Sequence, residues 1–256
     1  MRTNHLNRAA IAAILALAFS ATSRAQFGPP PAGPPKPAKE AALEDITGYW
    51  VSIVTEDWRF RMVTPPKGDY PNIPLNAEGK KIADAWDPAK DEAAGQQCKA
   101  FGAAAIMRVP NRTHITWQDD ETMKVEIDSG TQTRLFHFKG TPSGDPSFQG
   151  YSAAQWLREG RSGGRGGNSG APGGFMKVVT TRLRPGYLQK NGVPYSANTT
   201  VTEYYDLIKE PDGAQWLVVK TIVEDPMYLF RTFITSTHFR KQPDAAGWNP
   251  TPCTAR

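Results

Sequence analysis

The sequence has few of the residues on which metal and redox sites depend. It contains two cysteines and four histidines in 256 residues, and these form no CxxC, HxH or HExxH motif. The segment Gly150-Tyr-Ser152-Ala-Ala lacks the second glycine of a nucleophile elbow. No Gly-Lys-Ser/Thr is present to cradle a phosphate. The sequence therefore has no signature that fixes a reaction, and we predict neither a metal ion nor a cofactor.

Long hydrophobic runs are also missing. The apolar run at 9–19 is shorter than the roughly 20 residues that a membrane-spanning helix requires. It follows Arg2 and Arg8 and precedes Ser23-Arg24-Ala25, a small-x-small cleavage pattern, and no cysteine follows that site to carry a lipid. We therefore predict a signal peptide at 1–25, a periplasmic or secreted mature protein, and no membrane insertion after cleavage.

The chain has little excess charge of either sign. Its net charge is +5, from 30 Lys and Arg against 25 Asp and Glu. Cleavage of the predicted signal peptide removes three arginines and no acidic residue, which leaves +2. Because so small a charge creates no chain-wide field, we do not expect nucleic acid or an anionic membrane as a partner.

The two cysteines are Cys98 and Cys253. Exported proteins fold in an oxidising compartment, where paired cysteines persist as disulfides. We predict that these two residues are linked, which would fasten the C-terminus to the middle of the chain. Two free thiols are the alternative, but neither residue lies beside an obvious histidine, so redox catalysis is not expected.

Patterns typical of β-strands dominate the mature chain. Three consecutive runs are rich in Val, Thr, Ile, Tyr and Phe and are separated by Gly, Pro and Asp: 199–208, 215–223 and 229–239. This composition predicts three antiparallel strands. The alternating residues on either side of Ser129-Gly130 predict a hairpin. With further candidate strands at 47–54, 107–109, 112–118 and 175–183, the chain has eight or nine strands in all.

This strand count predicts the fold class. We predict a mainly β protein, an antiparallel lipocalin-like barrel of about eight strands, since closure removes exposed strand edges. A β-sandwich is the alternative. One or two short helices are expected, the first from an Asn76 N-cap to about Trp86 and the second from Asp87-Pro88 to about Gln97.

Proline and glycine mark the domain organisation. Residues 26–42 form a Pro-rich spacer that cannot build a core. We predict a single domain at 43–256. A low-complexity Gly-rich stretch at 159–174 interrupts it and is expected to be a loop between strands.

The first predicted strand, 47–54, carries a known pattern. Its Gly48-Tyr49-Trp50 resembles the Gly-x-Trp signature of the lipocalins and other calycins. In that family the Trp closes one end of an eight-stranded barrel, and an Arg from a late strand packs across it. The resemblance implies that Arg231 or Arg240 takes the second role.

A wider set of short motifs resembles an uncharacterised group of secreted bacterial proteins with no assigned activity. The motifs follow one another along the chain: Pro74-Leu-Asn-Ala-Glu-Gly, Asp87-Pro, Gln97-Cys, Met107-Arg-Val-Pro, Tyr195-Ser, Thr202-Glu, Val223-Glu-Asp-Pro and Pro252-Cys. The resemblance implies export and a β-rich fold. It implies no chemistry.

One carboxylate falls on an apolar strand face. Glu203 shares its face with Val201, Tyr205 and Leu207. A carboxylate in such a place is either paired with a cation or desolvated, and both situations are frequent at functional sites. We predict Arg231 as its partner.

We therefore predict that the barrel interior binds a small, largely apolar molecule. The predicted site residues form two groups: Glu203, His137 and Tyr205 for catalysis, and Trp50, His114, Trp117, Arg231 and Phe233 for binding.

Two alternatives to simple binding remain open. One is a cofactor-independent isomerase, cyclase, lyase or hydrolase, with His137 or Glu203 as base and Tyr205 as acid. The other is a structural or interaction module, in which a salt bridge between Glu203 and Arg231 braces a filled barrel. The sequence leaves the oligomeric state open.

Overall fold

The computed structural model describes residues 36–158 and 173–256. The predicted signal peptide, residues 26–35 of the spacer and residues 159–172 of the Gly-rich loop lie outside these ranges. Residues 36–42 are described, and a turn at 38–41 is held against the chain near residue 120, where Lys39 N–H donates to the Asp120 carbonyl at 3.0 Å. The last part of the predicted spacer therefore contacts the domain.

Nine strands form a closed barrel. The strands of the described chain are β1 (Gly48–Ile53), β2 (Arg112–Trp117), β3 (Thr122–Ile127), β4 (Gln132–His137), β5 (Tyr151–Arg158), β6 (Gly174–Thr181), β7 (Gly186–Gln189), β8 (Val193–Tyr195), β9 (Thr200–Lys209), β10 (Gln215–Glu224) and β11 (Phe233–Gln242). Around the barrel the order is β1-β11-β10-β9-β6-β5-β4-β3-β2, while β7 and β8 form a separate hairpin. The predicted β-barrel is confirmed, as are the β9–β11 meander and the β3–β4 hairpin.

One pair of barrel strands departs from the predicted antiparallel pattern. Strands β4 and β5 run parallel and are joined through Phe136 with Ser152 and His137 with Ala153. Parallel neighbours need a connection of about a dozen residues or more to bring the chain back to the starting end. The segment 138–150 supplies it. The predicted strand at 107–109 is wrong, because a 3-10 turn occupies Ile106–Arg108.

Alternating side chains fill the barrel. In β3, Met123, Val125 and Ile127 are buried, whereas Lys124 and Glu126 are partly exposed. The same period of two is clear in β6, β9 and β10, since successive side chains point to opposite faces of a sheet. Fully buried residues of the main core include Trp50, Ile115, Phe136, Met176, Val178, Tyr205 and Phe239.

Short helices and the β7–β8 hairpin cover one end of the barrel. The helices are α1 (Trp58–Arg61), α2 (Ala77–Asp84) and α3 (Pro88–Ala93). As predicted, the Asn76 side chain caps α2 by accepting from Gly79 N–H at 2.8 Å, and Asp87 caps α3. A second core cluster there includes Tyr70, Leu188, Val193, Val201, Val223 and Phe233. None of the helices in the two described ranges has the length and apolar character needed to cross a membrane.

The predicted disulfide is confirmed. Cys98 and Cys253 are bonded, across a sequence separation of 155 residues. The adjoining tail pairs with the β3–β4 turn through Ser129 and Thr251. Gly130 in that turn has φ +77°, and a Cβ there would lie 2.4 Å from the ring of Phe101. Glycine therefore allows both the turn and the close approach of the segment that carries the disulfide.

Candidate functional site

The predicted interior carboxylate is buried and paired. Glu203 on β9 and Arg134 on β4 both have side chains with no exposed surface. The guanidinium donates two hydrogen bonds to the carboxylate, at 3.0 and 2.5 Å. This bidentate geometry is the strongest form of the arginine–carboxylate interaction. The carboxylate that the sequence places on an apolar face is thus neutralised inside the barrel.

Neighbouring hydroxyls extend this pair into a network. Arg134 also donates to Thr180 Oγ1 at 3.3 Å and to the hydroxyl of Tyr205 at 3.5 Å. Thr180 in turn shares a hydrogen bond with Ser152 at 2.8 Å. Burial first, and then the adjacent Glu203 charge, raise the pKa of Tyr205 well above its usual value.

Burial acts on Arg134 in the opposite direction. On its own, burial would lower the pKa of Arg134, but the charge of Glu203 and the hydrogen bonds to Glu203 and Tyr205 outweigh it and raise that pKa. The guanidinium therefore stays charged, and the network is held by a full ion pair.

The predicted partner of Glu203 is wrong. Arg231 is exposed and packs over the ring of Phe230, with its guanidinium carbon 5.6 Å from the ring centre. It lies in the connection before β11, so the alternation of that strand does not extend to it. The residue that pairs with Glu203 is 69 positions away in sequence and belongs to β4.

Two of the predicted histidines face outward. Because Arg134 and Phe136 point into the barrel, His137 lies on the outer face, where it stacks on Tyr151 with ring centres 4.8 Å apart. His114 stacks on Tyr49 at 4.0 Å, and its Nδ1 lies 3.3 Å from Glu126. The prediction that these histidines join Glu203 in the interior is wrong.

The predicted aromatic residues are divided between two core clusters. Trp50 belongs to the main core, and its indole N–H donates to the Ile46 carbonyl at 2.9 Å. Trp117 is partly buried and packs against Phe138. Phe233 lies in the second cluster at the covered end. These side chains therefore do not line one common pocket.

A lysine packs across Trp50. Lys241 on β11 is paired directly with Trp50, and its ammonium lies 4.6 Å from the indole centre. Lys241 also hydrogen-bonds the Thr47 carbonyl. The basic side chain over Trp50 is therefore Lys241, whereas Arg231 packs over Phe230 and Arg240 over Trp216.

The interior network is separate from the surface clefts. None of the five clefts measured in residues 36–158 and 173–256 is lined by Glu203, Arg134 or Tyr205. A molecule in solution has no route to these groups through those clefts. The geometry therefore fits a brace across the filled barrel better than a reaction site.

A better candidate lies at the covered end of the barrel. A cleft of about 260 Å³ is bordered by α1 and the chain that follows it, the 3-10 turn Ile106–Arg108 and the end of β7. Its apolar lining residues are Phe60, Met62, Val63, Ala100, Ala105, Val109, Pro110 and Leu188. Typical sites for drug-sized ligands have volumes of roughly 300–1,000 Å³, so this cleft suits a smaller molecule.

The charged residues that line this cleft are all basic. They are Arg61, Arg108 and Lys190, and no acidic residue joins them in the lining. Arg61 and Arg108 have side chains that are 2% and 7% exposed. Burial of basic groups in an apolar lining is unfavourable unless an anion compensates them.

Acidic residues of the protein compensate the three positive charges of the cleft only in part. Arg61 pairs with Glu56, and Arg108 contacts Asp57 at 3.3 Å. Arg61 Nη2 is buried and has no hydrogen-bond partner among the described residues. Lys190 hydrogen-bonds Thr254 at 3.1 Å and forms no ion pair within the described ranges.

The pKa values of the three basic groups reflect this shortfall. Burial is the largest influence on each of them and lowers the pKa of Arg61 and of Lys190. It lowers the pKa of Arg108 to about 10. An anion bound nearby would raise the pKa of each group. The cleft is thus electrostatically prepared for a negative charge.

Sequence patterns gave little indication of this cleft. Arg61 and Arg108 lie 47 residues apart, in an irregular segment and in a segment predicted as a strand. The Arg61 Nε–H donates to the Arg108 carbonyl at 2.8 Å, a contact that only the fold creates. The concentration of arginine and aromatic residues at 58–61 is the one local signal that could have indicated it.

Neither metal-binding geometry nor similarity to known proteins indicates a function. In the described part of the chain, no group of three or more His, Cys, Asp or Glu side chains is placed to hold a metal ion. Searches of protein-family models, of curated proteins and of solved structures gave no significant match to this chain.

Proposed function

We propose that this protein binds a small molecule with a negatively charged head and an apolar body in the cleft formed by Arg61, Arg108 and Lys190. The observation that carries this proposal is the meeting of three partly or fully buried basic groups in one apolar cleft that has no acidic lining residue. The head would contact the basic groups, and the body would contact Phe60, Leu188 and their neighbours.

This proposal keeps the predicted class of ligand but changes its place and its charge. A wholly apolar ligand would leave the desolvated basic groups uncompensated, whereas a carboxylate or sulfonate would accept hydrogen bonds from them. A ligand of either kind would bury the exposed side chains of Met62 and Val63, which are 58% and 67% exposed. Binding would therefore gain from both charge and apolar contact.

We also propose that the protein works outside the cytoplasm. The amino-terminal pattern at 1–25 supports this, and the Cys98–Cys253 disulfide is compatible with an oxidising compartment. A carrier or sensor of small organic anions in the periplasm or outside the cell fits both features.

An NMR titration tests the binding site. We expect octanoate to shift backbone amide signals of residues 60–64, 105–109 and 188–190. We expect 1-octanol, a neutral molecule of the same chain length, to bind at least about tenfold more weakly, since a charge-assisted hydrogen bond contributes about 1.5–3 kcal/mol. Equal affinity for the two compounds, or shifts confined to other parts of the barrel, would disprove the proposed site.

Two variants test whether the charge of Lys190 contributes to octanoate binding. Lys190→Gln removes one of the basic groups and should weaken octanoate binding about threefold to tenfold, with little effect on octanol. Lys80→Gln, on the exposed side of α2, is the matched control and should change neither affinity. Unchanged octanoate affinity in Lys190→Gln would exclude that lysine from the site.

A further inference from the structure

A serine and a histidine are hydrogen-bonded on the outer face of the barrel, and a glutamate lies beside the histidine. Ser236 and His238 lie two residues apart on β11, on the face opposite the buried Thr237 and Phe239. Ser236 Oγ is 3.4 Å from His238 Nε2. The other ring nitrogen, Nδ1, is 3.4 Å from Glu56 Oε2 and 2.8 Å from Thr55 Oγ1.

The hydrogen-bond donors around His238 define one consistent tautomer. Thr55 donates its hydroxyl proton to Glu56 at 2.8 Å, so the Thr55 oxygen is free to accept a proton from His238 Nδ1. With the proton on Nδ1, the Nε2 atom has a lone pair to accept the hydroxyl proton of Ser236. A serine activated by a histidine that a third group orients is the arrangement used in nucleophilic catalysis.

Glu56 is itself held in place. Its Oε1 atom forms an ion pair with the buried guanidinium of Arg61, while its Oε2 faces Thr55 and His238. The carboxylate therefore has a fixed orientation and a neighbouring positive charge. It is a positioning residue for His238.

An open apolar cleft adjoins the serine. Ser236 lines a cleft of about 670 Å³ on the outer surface of β6, β9, β10 and β11. Phe175, Tyr204, Val218 and Ile234 supply its apolar surface, and the Ile234 side chain is 59% exposed. An acyl chain or a small ring could rest there next to the serine hydroxyl.

A cation lies opposite the serine. Lys220 on β10 is the register partner of Ser236 and also lines the cleft. Directly opposed residues on antiparallel strands have Cβ atoms about 4.5–5.5 Å apart. Its ammonium lies over the Tyr204 ring on β9, 4.6 Å from the ring centre, so the side chain would have to turn toward β11 to contact an oxyanion that forms at the serine.

We propose that Ser236 is a nucleophile for acyl transfer from small esters with an apolar acyl group, with His238 as general base. Ser236 Oγ bonds to the ester carbonyl carbon as its proton passes to His238 Nε2. The C–O bond to the alcohol then breaks, and the alcohol leaves with the proton from Nε2. Water attacks the acyl-serine, gives a proton to Nε2, and releases the acid as Ser236 recovers its proton.

A serine-directed probe tests the proposed nucleophile. We expect a fluorophosphonate to phosphonylate the purified protein with loss of fluoride, and peptide mapping by mass spectrometry to place the adduct on Ser236. Ser236→Ala should lose the adduct. His238→Gln should react at least about 100-fold more slowly than the parent protein, because loss of a general base typically lowers the rate by a factor of 10²–10⁴. Hydrolysis of p-nitrophenyl butyrate should fall in parallel.

Controls distinguish catalysis from folding and from chance reactivity. Ser143→Ala removes an exposed serine of another loop and should react like the parent protein. Glu56→Gln should lower the rate constant of labelling but leave the half-saturating probe concentration unchanged, because Glu56 contacts neither probe nor substrate. Thermal unfolding identifies any variant that has lost its fold.

Three results would overturn the proposal. They are the absence of an adduct on Ser236, equal labelling of the folded His238→Gln variant, and ester hydrolysis that persists in Ser236→Ala. The octanoate titration of the Arg108 cleft uses a different surface, so neither experiment decides the other.

Discussion

The buried Arg134–Glu203 pair provides the sharpest test of how the barrel is held together. Removing one partner of a buried ion pair leaves an uncompensated charge away from water, which costs about 3–5 kcal/mol. Both side chains have no exposed surface, and the pair makes two hydrogen bonds to each other. We therefore expect Glu203→Gln, which leaves Arg134 buried and charged, to lose about 3–5 kcal/mol of unfolding free energy.

The double variant has a different expected outcome. Arg134→Met combined with Glu203→Leu removes both charges and replaces them with apolar side chains. Such replacements are often neutral or stabilising by about 1–4 kcal/mol, because no charge remains to be desolvated. We expect the double variant to be close to the parent protein in stability. The single substitutions Arg134→Met and Glu203→Leu should therefore each be strongly destabilising, and their costs should not add in the double variant.

Guanidinium denaturation followed by tryptophan fluorescence measures these differences. Lys209→Met is a suitable control, because the Lys209–Glu44 ion pair joins a 58% exposed lysine to a 21% exposed glutamate and should contribute at most about 1 kcal/mol. A Glu203→Gln cost below about 1 kcal/mol would refute the reasoning. So would a double variant whose cost equals the sum of the singles.

Three further predictions address other parts of the fold. Replacing Cys98 and Cys253 with serine removes a cross-link over 155 residues and should cost up to about 5 kcal/mol by the chain-entropy relation; unchanged denaturation midpoints with and without reductant would contradict this. Gly130→Ala should cost at least about 1 kcal/mol, because the residue has φ +77° and its Cβ would meet a phenylalanine ring; a neutral result in urea denaturation would show that the turn relaxes. Burial raises the pKa of Tyr195 and Tyr205. Above about pH 10 these hydroxyls therefore stay protonated in the folded protein but lose their protons in the unfolded chain. The free energy of unfolding should then fall by up to about 1.4 kcal/mol per pH unit for each tyrosine. Denaturant titrations at several pH values would contradict this prediction if the free energy of unfolding were constant between pH 9 and 11.

The sequence predicts the parts of the fold that local patterns determine. The β9–β11 meander follows from alternation and from the Pro211-Asp-Gly turn, since residues 215–224 pair with 200–209 in consecutive register. The β3–β4 hairpin follows in the same way from Ser129-Gly130. The parallel β4–β5 pairing has no such local signal, because only two residue pairs define it.

In the barrel interior, local patterns do not identify the partner of the buried carboxylate. A strand face is predicted from its apolar residues, and in β4 this rule selects Leu135 and His137 as inward. The structure places Arg134 and Phe136 inward instead, because Glu203 on β9 requires a buried cation. Arg134 is charged but points inward, so the apolar pattern of β4 predicts the wrong face. Its partner Glu203 lies 69 residues away, so the local sequence does not reveal the pairing.

The two surface sites depend even more on three-dimensional contacts. Glu56 meets His238 because β1 pairs with β11, with Ile53 opposite His238. Arg61 meets Arg108 because the segment after β1 packs against the turn Ile106–Arg108. A Ser-x-His pair on one strand face is visible in the sequence. Its glutamate, 182 residues earlier, is not.

A crystal structure of the protein with octanoate would test the central claim most directly. We expect density for the carboxylate within hydrogen-bond distance of Arg61, Arg108 or Lys190, with the alkyl chain against Phe60 and Leu188. Density in the barrel interior beside Glu203, or no bound molecule at saturating octanoate, would contradict it.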